Sequence, residues 1–166
     1  MKMAEFLILS GPIRSGKTSN LMNVFGNRPE VSGFLTPDIG NKRVIFDLKT
    51  GTYHNFETIE NELNQPYVSI GKFFFLKSGF EICKQLMLDY LNCPTPVFVI
   101  DEIGKLEMNG QGHEPFFQEF LNLANKLKGN YKIILVVRDT LLVEFCSRYS
   151  LINPRIVSID EIIDVI

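Results

Sequence analysis

Residues 11–18 have the sequence Gly-Pro-Ile-Arg-Ser-Gly-Lys-Thr, and this stretch decides the fold. It matches the phosphate-binding pattern G-x-x-x-x-G-K-[ST] at every fixed position. The two glycines let the backbone curl so that successive N–H groups point into one concavity. Lys17 offers a charge to the outer phosphates, and the Thr18 hydroxyl can bind Mg²⁺. The predicted nucleotide-binding residues are Gly11, Pro12, Ile13, Arg14, Ser15, Gly16, Lys17, Thr18 and Ser19.

The flanking residues supply the context that this loop requires. Phe6 to Ser10 is a short, continuously apolar run, as expected of a strand buried on both faces of a parallel sheet. Residues 18–25 carry apolar side chains at helical spacing and are followed by Gly26, which ends the helix. Strand, loop and helix are therefore all predicted in the order that a phosphate-binding loop needs.

The composition predicts one globular domain over residues 1–166. Of the 166 residues, 45% are hydrophobic and 22% are charged, which is enough to bury a core. The 17 Lys and Arg against 19 Asp and Glu give a net charge of −2. No block of basic residues indicates a nucleic-acid surface, and no segment has the length of a membrane span or the pattern of a signal peptide.

The cysteines and histidines indicate neither a disulfide framework nor a zinc site. Cys83, Cys93 and Cys146 form no C-x-x-C pair, and their odd number suits a reducing compartment. His54 and His113 are far apart and lack ligand-type neighbours. We therefore expect a cytoplasmic protein.

Buried strands and amphipathic helices alternate along the chain. Helical spacing of apolar residues predicts helices that alternate with several of the strands, and this alternation predicts an α/β fold with a parallel core sheet and helices on both faces. The predicted helices are Ser78 to Tyr90, Glu114 to Leu127, and Thr140 to Tyr149 with Asp139 or Thr140 as its cap. The predicted strands are Phe6 to Ser10, Val31 to Thr36, Val97 to Ile100, Lys132 to Val137 and Arg155 to Ile159.

A hairpin interrupts the alternation. Residues 43–48 and 52–56 flank Lys49-Thr50-Gly51, and a glycine there can take a positive φ. The region from about 31 to 77 is therefore predicted to be an antiparallel elaboration on one edge of the sheet. Within it, we expect Phe73-Phe74-Phe75 to belong to the core, because soluble proteins seldom expose contiguous apolar patches.

A second motif follows the strand predicted at Val97. Asp101 and Glu102 come directly after it, at the carboxyl end where ligands bind in open α/β sheets. An Asp at this point is the second Mg²⁺ partner in phosphate-binding-loop proteins, so Asp101 is expected opposite Thr18. Glu102 can accept a proton from water and direct it at the γ-phosphate. Lys17 and Glu102 are therefore the predicted catalytic residues.

A regulatory GTPase is disfavoured. Asp101-Glu102-Ile103-Gly104 fits the D-x-x-G of GTPase switch regions, but a guanine-specific N-K-x-D should then follow a later strand. The Asn-Lys at 125–126 lies inside a predicted helix and has Lys128 where Asp is needed.

Residues 101–107, Asp-Glu-Ile-Gly-Lys-Leu-Glu, resemble the DEIGKME-type signature of a small P-loop nucleoside-triphosphatase family. This family includes thermophile nucleoside-triphosphatases and the human cancer-related nucleoside-triphosphatase. Gly33-Phe34-Leu35-Thr36 resembles its G-F-x-T segment, Lys42-Arg43 lies where the family has G-x-R, and residues 70–73 resemble its V-G-x-Y segment. The resemblance implies a RecA-like core and Mg²⁺-dependent hydrolysis of ATP, GTP and other nucleoside triphosphates.

Other cationic residues can stabilise the charge that develops on the phosphates. Lys105 follows the acidic pair, and Arg138 follows the strand predicted at residues 132–137. Arg148 and Arg155 are further candidates.

Three functions remain open from the sequence. The first is a Mg²⁺-dependent nucleoside-triphosphatase that acts on ATP or GTP. The second is a small-molecule or nucleotide kinase with an acceptor pocket and a lid from residues 31–77. The third is a nucleotide-gated interaction module with little turnover, whose protein partner the sequence does not identify.

Overall fold

A computed structural model describes residues 2–62 and 64–165; Met1, Leu63 and Ile166 of the predicted domain lie outside the described residues. The helices are α1 Lys17–Phe25, α2 Lys77–Asn92, α3 Lys105–Met108, α4 Phe116–Ala124, α5 Leu142–Arg148 and α6 Ile159–Val165. The strands are β1 Glu5–Gly11, β2 Val31–Leu35, β3 Asp38–Ile39, β4 Lys42–Asp47, β5 Tyr53–Asn55, β6 Glu57–Thr58, β7 Tyr67–Ile70, β8 Phe73–Leu76, β9 Val97–Ile103, β10 Lys132–Arg138 and β11 Arg155–Val157.

The main sheet has the order β11-β1-β10-β9-β2-β4-β3, with β5 paired to β4. The strands from β11 to β2 run parallel, while β4 pairs antiparallel with β2, β3 and β5. The predicted α/β class with a parallel core sheet and an antiparallel hairpin is therefore confirmed. The carboxyl ends of β1, β10 and β9 lie side by side, and this edge collects the predicted site.

Helices cover both faces of the parallel strands, as predicted. Along β1, Phe6 and Ile8 point to the core under α2, α4 and α5, while Leu7 and Leu9 point to the core under α1 and α6. This alternation follows from the two-residue period of a strand, whose successive side chains lie on opposite faces. Both faces are buried, which explains why these strands are apolar throughout.

The predicted elaboration begins later than expected. Val31–Leu35 is a core strand that pairs in parallel with β9, and the antiparallel additions start at Asp38. Gly33 lies opposite Val99 at a φ of +107°, and a Cβ on it would stand 2.0 Å from the Val99 carbonyl oxygen. This close approach requires glycine. The segment 38–76, called the insertion from here on, adds β3, β4 and β5 to the main sheet and forms a small sheet of order β6-β8-β7.

Several predicted boundaries were wrong. Asp101 and Glu102 lie within β9, which continues to Ile103. Helix α4 begins only after Pro115, because a residue before proline disfavours the helical region. It ends at Ala124, where the backbone tightens into bonds from Lys126 to Leu123 and from Leu127 to Ala124.

The ends of α5 and β11 also differ from expectation. Asp139–Leu141 forms a 3₁₀ turn, so α5 starts at Leu142 and no side chain caps it. Strand β11 stops at Val157 because Ser158 and Glu161 exchange hydrogen bonds of 2.7 and 3.4 Å, a capping box that starts α6.

The Phe73-Phe74-Phe75 run is only partly core. Phe75 is buried, but Phe73 is 40% exposed. Phe73 and Phe75 lie on the same face of β8, with ring centroids 6.4 Å apart, so the difference comes from position: Phe73 is the first residue of the strand and Phe75 lies further into the core. Within residues 2–62 and 64–165, no helix is long and apolar enough to cross a membrane.

Candidate active site

The loop between β1 and α1 has the conformation that its glycines allow. Gly16, at the N-terminus of α1, has a φ of +79°, and Arg14 also takes a positive φ of 57°. The Lys17 ammonium lies over the loop and donates to the carbonyl oxygens of Gly11 at 2.9 Å and Pro12 at 2.5 Å. It also lies 3.1 Å from the Ser15 hydroxyl oxygen. A cationic side chain is thus folded onto the loop at a helix N-terminus, where anions are favoured.

Thr18 and Asp101 meet at the edge of the sheet. The Thr18 hydroxyl donates to Asp101 Oδ2 at 2.7 Å, although the two residues are 83 positions apart in the chain. The backbone N–H of Thr36, just past β2, donates to the same oxygen at 3.2 Å. The predicted pairing of these two residues is therefore present in the structure.

Asp101 is a buried carboxyl group, only 1% exposed. Burial, and then the neighbouring charge of Glu102, raise its pKa to about 6, against the opposing hydrogen bonds from Thr18 and Thr36. A carboxylate in this environment gains from a nearby cation, because burial disfavours the uncompensated charge.

Glu102 is held by two arginines. Its Oε1 accepts hydrogen bonds from Arg138 Nε at 3.0 Å and Arg138 Nη2 at 2.6 Å. The Nη1 atom of Arg43, from β4 of the insertion, lies 3.4 Å from the same oxygen. The side chains of Glu102 and Arg138 are 19% and 22% exposed, so the group is partly screened from water.

Glu107 supports the segment that carries Glu102. Its carboxyl group accepts hydrogen bonds from the backbone N–H groups of Gly104 at 2.8 Å and His113 at 3.0 Å. Burial raises the Glu107 pKa to about 7. The imidazole of His113 is buried between the rings of Phe34 and Phe80, and burial lowers its pKa to about 4, so it is neutral.

The structure brings together most of the predicted residues. Lys17, Thr18, Asp101, Glu102 and Arg138 all lie at the carboxyl edge of the parallel strands. Lys105 starts α3, and among the described residues no hydrogen bond or ion pair links it to the acidic pair.

The sequence interpretation missed two contributors. Arg43 contacts Glu102 from the insertion, and Glu107 anchors the turn after β9. The signals for both were present in the Lys42-Arg43 and Asp101-to-Glu107 segments that carry the family resemblance. Of the other candidate arginines, Arg148 donates to the Met108 carbonyl oxygen at 3.1 Å and Arg155 pairs with Glu5 at 3.6 Å.

The oxygen atoms at this edge fit Mg²⁺. The ion prefers oxygen ligands and takes only one or two protein groups when phosphates and water supply the rest. The Thr18 hydroxyl and the Asp101 carboxylate are such a pair, 2.7 Å apart. Among the described residues, no group of three or more His, Cys, Asp and Glu side chains is arranged to hold a metal ion. The donor set therefore suits a metal that arrives with a polyphosphate.

The loop, the sheet order and the Thr18–Asp101 contact define a P-loop nucleoside-triphosphatase. The chain belongs to the family described as NTPase, whose family model matches residues 6–162. This confirms the resemblance carried by residues 101–107 and supports nucleoside-triphosphatase activity in general.

One solved structure is similar over almost its whole length. The crystal structure of THEP1 from the hyperthermophile Aquifex aeolicus aligns with a TM-score of 0.62 at 16% sequence identity, covering 98% of this chain and 95% of that chain. At this identity the likeness shows the fold alone. No curated protein matches the sequence significantly.

Proposed function

We propose that this protein is a Mg²⁺-dependent nucleoside-triphosphatase that hydrolyses ATP, GTP and other nucleoside triphosphates to the diphosphate and inorganic phosphate. The observation that carries the proposal is the contact between Thr18 and Asp101, with Glu102 beside it. This contact joins the phosphate-binding loop to the acidic pair, so that a bound triphosphate would have a carboxylate next to its γ-phosphate.

In this proposal, residues 11–19 bind the phosphates. Their backbone N–H groups and the N-terminus of α1 stabilise the negative charge, and the Lys17 ammonium exchanges its carbonyl contacts for phosphate oxygens. Thr18 and Asp101 hold Mg²⁺, which when bound neutralises charge on the β- and γ-phosphates.

Glu102 is the proposed base. Its carboxylate accepts a proton from the attacking water, while the Arg138 guanidinium keeps the carboxylate in position. Arg138, and Arg43 beside it, also place positive charge where negative charge builds up on the γ-phosphate. Lys105 is a weaker candidate for stabilising the charge on the phosphates, since it is exposed at the start of α3.

We also propose that the chain forms one domain and works in the cytoplasm. The insertion shares a hydrophobic core with the parallel sheet through Ile45, Phe56 and Phe75. The cysteines Cys83, Cys93 and Cys146 are free thiols, as suits a reducing compartment.

The test is an initial-rate panel with ATP, GTP, CTP and UTP in the presence of Mg²⁺. We expect phosphate release from several of them, its loss on chelation of the metal, and a loss of at least about 100-fold in Lys17→Ala. Lys49→Ala is the matched control, because Lys49 is an exposed lysine on the hairpin turn. Equal rates in wild type and Lys17→Ala would contradict the proposal.

A further inference from the structure

A cleft of about 390 Å³ opens beside Glu102, between the insertion and the carboxyl edge of the main sheet. Its volume is within the range of small-molecule sites. Thr36 and Glu102 line it from the main sheet, and β7 and β8 of the insertion line it from the other side. Among the described residues, none of the phosphate-binding residues 11–19 lines it.

The position of the cleft relative to the phosphate-binding loop can be read from the order of strands in the main sheet. In the sheet order β11-β1-β10-β9-β2, the phosphate-binding loop follows β1, Arg138 ends β10, and Asp101 and Glu102 lie on β9. The cleft is lined by Arg138, Glu102, Thr36 and Arg43, which come from β10, β9, the end of β2 and β4 in the order of the sheet away from β1. A triphosphate held by Lys17 and the Thr18–Asp101 pair would therefore have its terminal phosphate near Glu102, which lines the cleft.

The chemistry of the walls is the second argument. The interior is aromatic and apolar, which suits a flat ring, since aromatic rings prefer stacked or edge-to-face packing. The apolar part is formed by Phe56, Ile70, Phe73, Phe75 and Phe80, and the buried Glu107 and His113 also line the cleft. Phe73 is 40% exposed and lines the cleft, so its ring is accessible to a ligand, whereas Phe75 beside it is buried.

The rim of the cleft is cationic. Arg43, Lys72, Lys105 and Arg138 line the cleft together with the partly buried carboxylate of Glu102. Both arginines contact Glu102, whereas among the described residues neither Lys72 nor Lys105 has an ion-pair partner. The cleft thus combines a ring-binding interior with a mouth that favours anionic or strongly polar groups, next to a carboxylate that can accept a proton.

We infer that this cleft binds a second substrate, a nucleoside or nucleoside monophosphate, as the acceptor of the γ-phosphoryl group. The base lies against the phenylalanine rings, and the acceptor oxygen lies at Glu102; this is the 5′ hydroxyl of a nucleoside or a phosphate oxygen of a monophosphate. The inference rests on the proposed nucleotide site but adds a reaction to it. Hydrolysis is then the outcome when water occupies the acceptor position.

The transfer step balances without any further reactant. The acceptor oxygen forms a bond to the γ-phosphorus, and the bond from that phosphorus to the bridging oxygen breaks, so the nucleoside diphosphate leaves with the electron pair. For a nucleoside, the hydroxyl proton passes to the Glu102 carboxylate and then to solvent. For a monophosphate, the acceptor oxygen is already ionised, and the cationic rim neutralises it.

The experiment incubates the protein with γ-labelled ATP, Mg²⁺ and a panel of nucleosides and nucleoside 5′-monophosphates. The products are separated by chromatography and identified by mass spectrometry. We expect label in a phosphorylated acceptor, with a rate that saturates in acceptor concentration. Comparing the nucleosides with the nucleoside 5′-monophosphates shows which of the two classes serves as the acceptor.

Two variants of the small sheet connect the activity to the cleft. Phe73→Ala removes a cleft ring, and we expect the ratio of transfer to hydrolysis to fall about tenfold. Tyr67→Ala is the matched control, because Tyr67 is 41% exposed on the neighbouring strand and does not line the cleft. We expect its ratio to equal that of wild type. The ratio is measured within each variant, so differences in folded fraction cancel.

The outcomes separate this inference from the proposed function. If ATP is hydrolysed but every acceptor leaves all the label in inorganic phosphate, the second substrate is wrong and the nucleoside-triphosphatase stands. Equal effects of Phe73→Ala and Tyr67→Ala on the ratio would also overturn it. If neither hydrolysis nor transfer occurs, the nucleotide site itself is wrong and the inference fails with it.

Discussion

Glu102 does not stand free at the edge of the sheet, because Arg138 and Arg43 both hold its Oε1 atom. These ion pairs are 19–28% exposed, so solvent screens them in part and their contribution to stability is modest. The ion pairs instead hold the Glu102 carboxylate in place, since a base must lie within hydrogen-bond reach of the proton that it abstracts. Arg138 contributes two nitrogens from a rigid fork, which a lysine cannot imitate.

Arg138→Ala tests this positional role. We expect the turnover number for nucleoside triphosphate hydrolysis to fall at least about tenfold, because the variant loses both the orientation of Glu102 and a charge near the γ-phosphate. Arg138→Lys should restore little of the rate, since its single ammonium does not reproduce the fork. Arg28→Ala is the control, because Arg28 forms an exposed ion pair with Glu30 at 3.8 Å. Steady-state rates that match wild type in Arg138→Ala would contradict the role.

Some residues of the site could be predicted from the sequence and others could not. Lys17, Thr18, Asp101 and Glu102 could be identified because fixed spacing in two motifs carries their chemistry. Arg43 could not, because its contact with Glu102 spans 59 positions and depends on how β4 packs beside β2. Such a contact is set by tertiary structure, and its one local sign is the match of Lys42-Arg43 to the family's G-x-R segment.

Elements were easier to predict than their ends. The parallel strands were recognised because burial on both faces makes them apolar throughout. The sequence did not show that β9 continues through Asp101 and Glu102 to Ile103, since charged residues within a strand look like its end. The partial exposure of Phe73 was also hidden, because an apolar triplet carries no sign of which side faces a cleft.

The titration of Glu107, which anchors the start of α3, makes the stability of the fold depend on pH. Burial, and to a smaller extent the charge of Glu102, raise its pKa from 4.5 to about 7, while hydrogen bonds from Gly104 and His113 oppose the change. Because the pKa in the folded state is above the unfolded value, the fold disfavours ionisation. The contribution of Glu107 to the free energy of unfolding is therefore fully present below about pH 4.5 and is lost as pH rises through about 7.

Glu107→Gln removes this titration and so tests it. We expect the difference in unfolding free energy between wild type and variant to shift by about 2 kcal/mol in favour of the variant as pH rises from 5 to 8. Urea unfolding at several pH values measures it. Asp101, whose pKa is raised to about 6, titrates in both proteins and cancels in the difference. Glu119→Gln, an exposed site on α4, is the control. A difference that stays constant with pH would contradict the account.

Over the whole molecule, the insertion and the parallel sheet share one core. Ile45, Phe56 and Phe75 of the insertion belong to the same buried cluster as Phe34 and Ile100 of the core strands. A shared core favours cooperative unfolding of the two parts. The sequence indicated one domain by its uniform composition, and the shared packing is the physical reason to propose that the insertion unfolds together with the sheet.

Single tryptophan reporters can test this cooperativity, because the chain has no tryptophan of its own. Tyr53→Trp reports on the insertion, where Tyr53 is 52% exposed on β5, and Tyr131→Trp reports beside β10. We expect the fluorescence transitions of the two variants in urea to coincide with each other and with the loss of far-ultraviolet circular dichroism. An earlier transition at position 53 would show that the insertion unfolds separately.

The central claim is that the molecule turns nucleotide binding into hydrolysis through Glu102. Glu102→Gln keeps the size of the side chain and an oxygen that can still accept from Arg138, but it can no longer take a proton. The most direct measurement compares nucleotide affinity and phosphate release in wild type, Glu102→Gln and the exposed control Glu119→Gln. We predict that Glu102→Gln retains nucleotide affinity and loses turnover by about 100-fold or more. Phosphate release at the wild-type rate from Glu102→Gln would contradict the account.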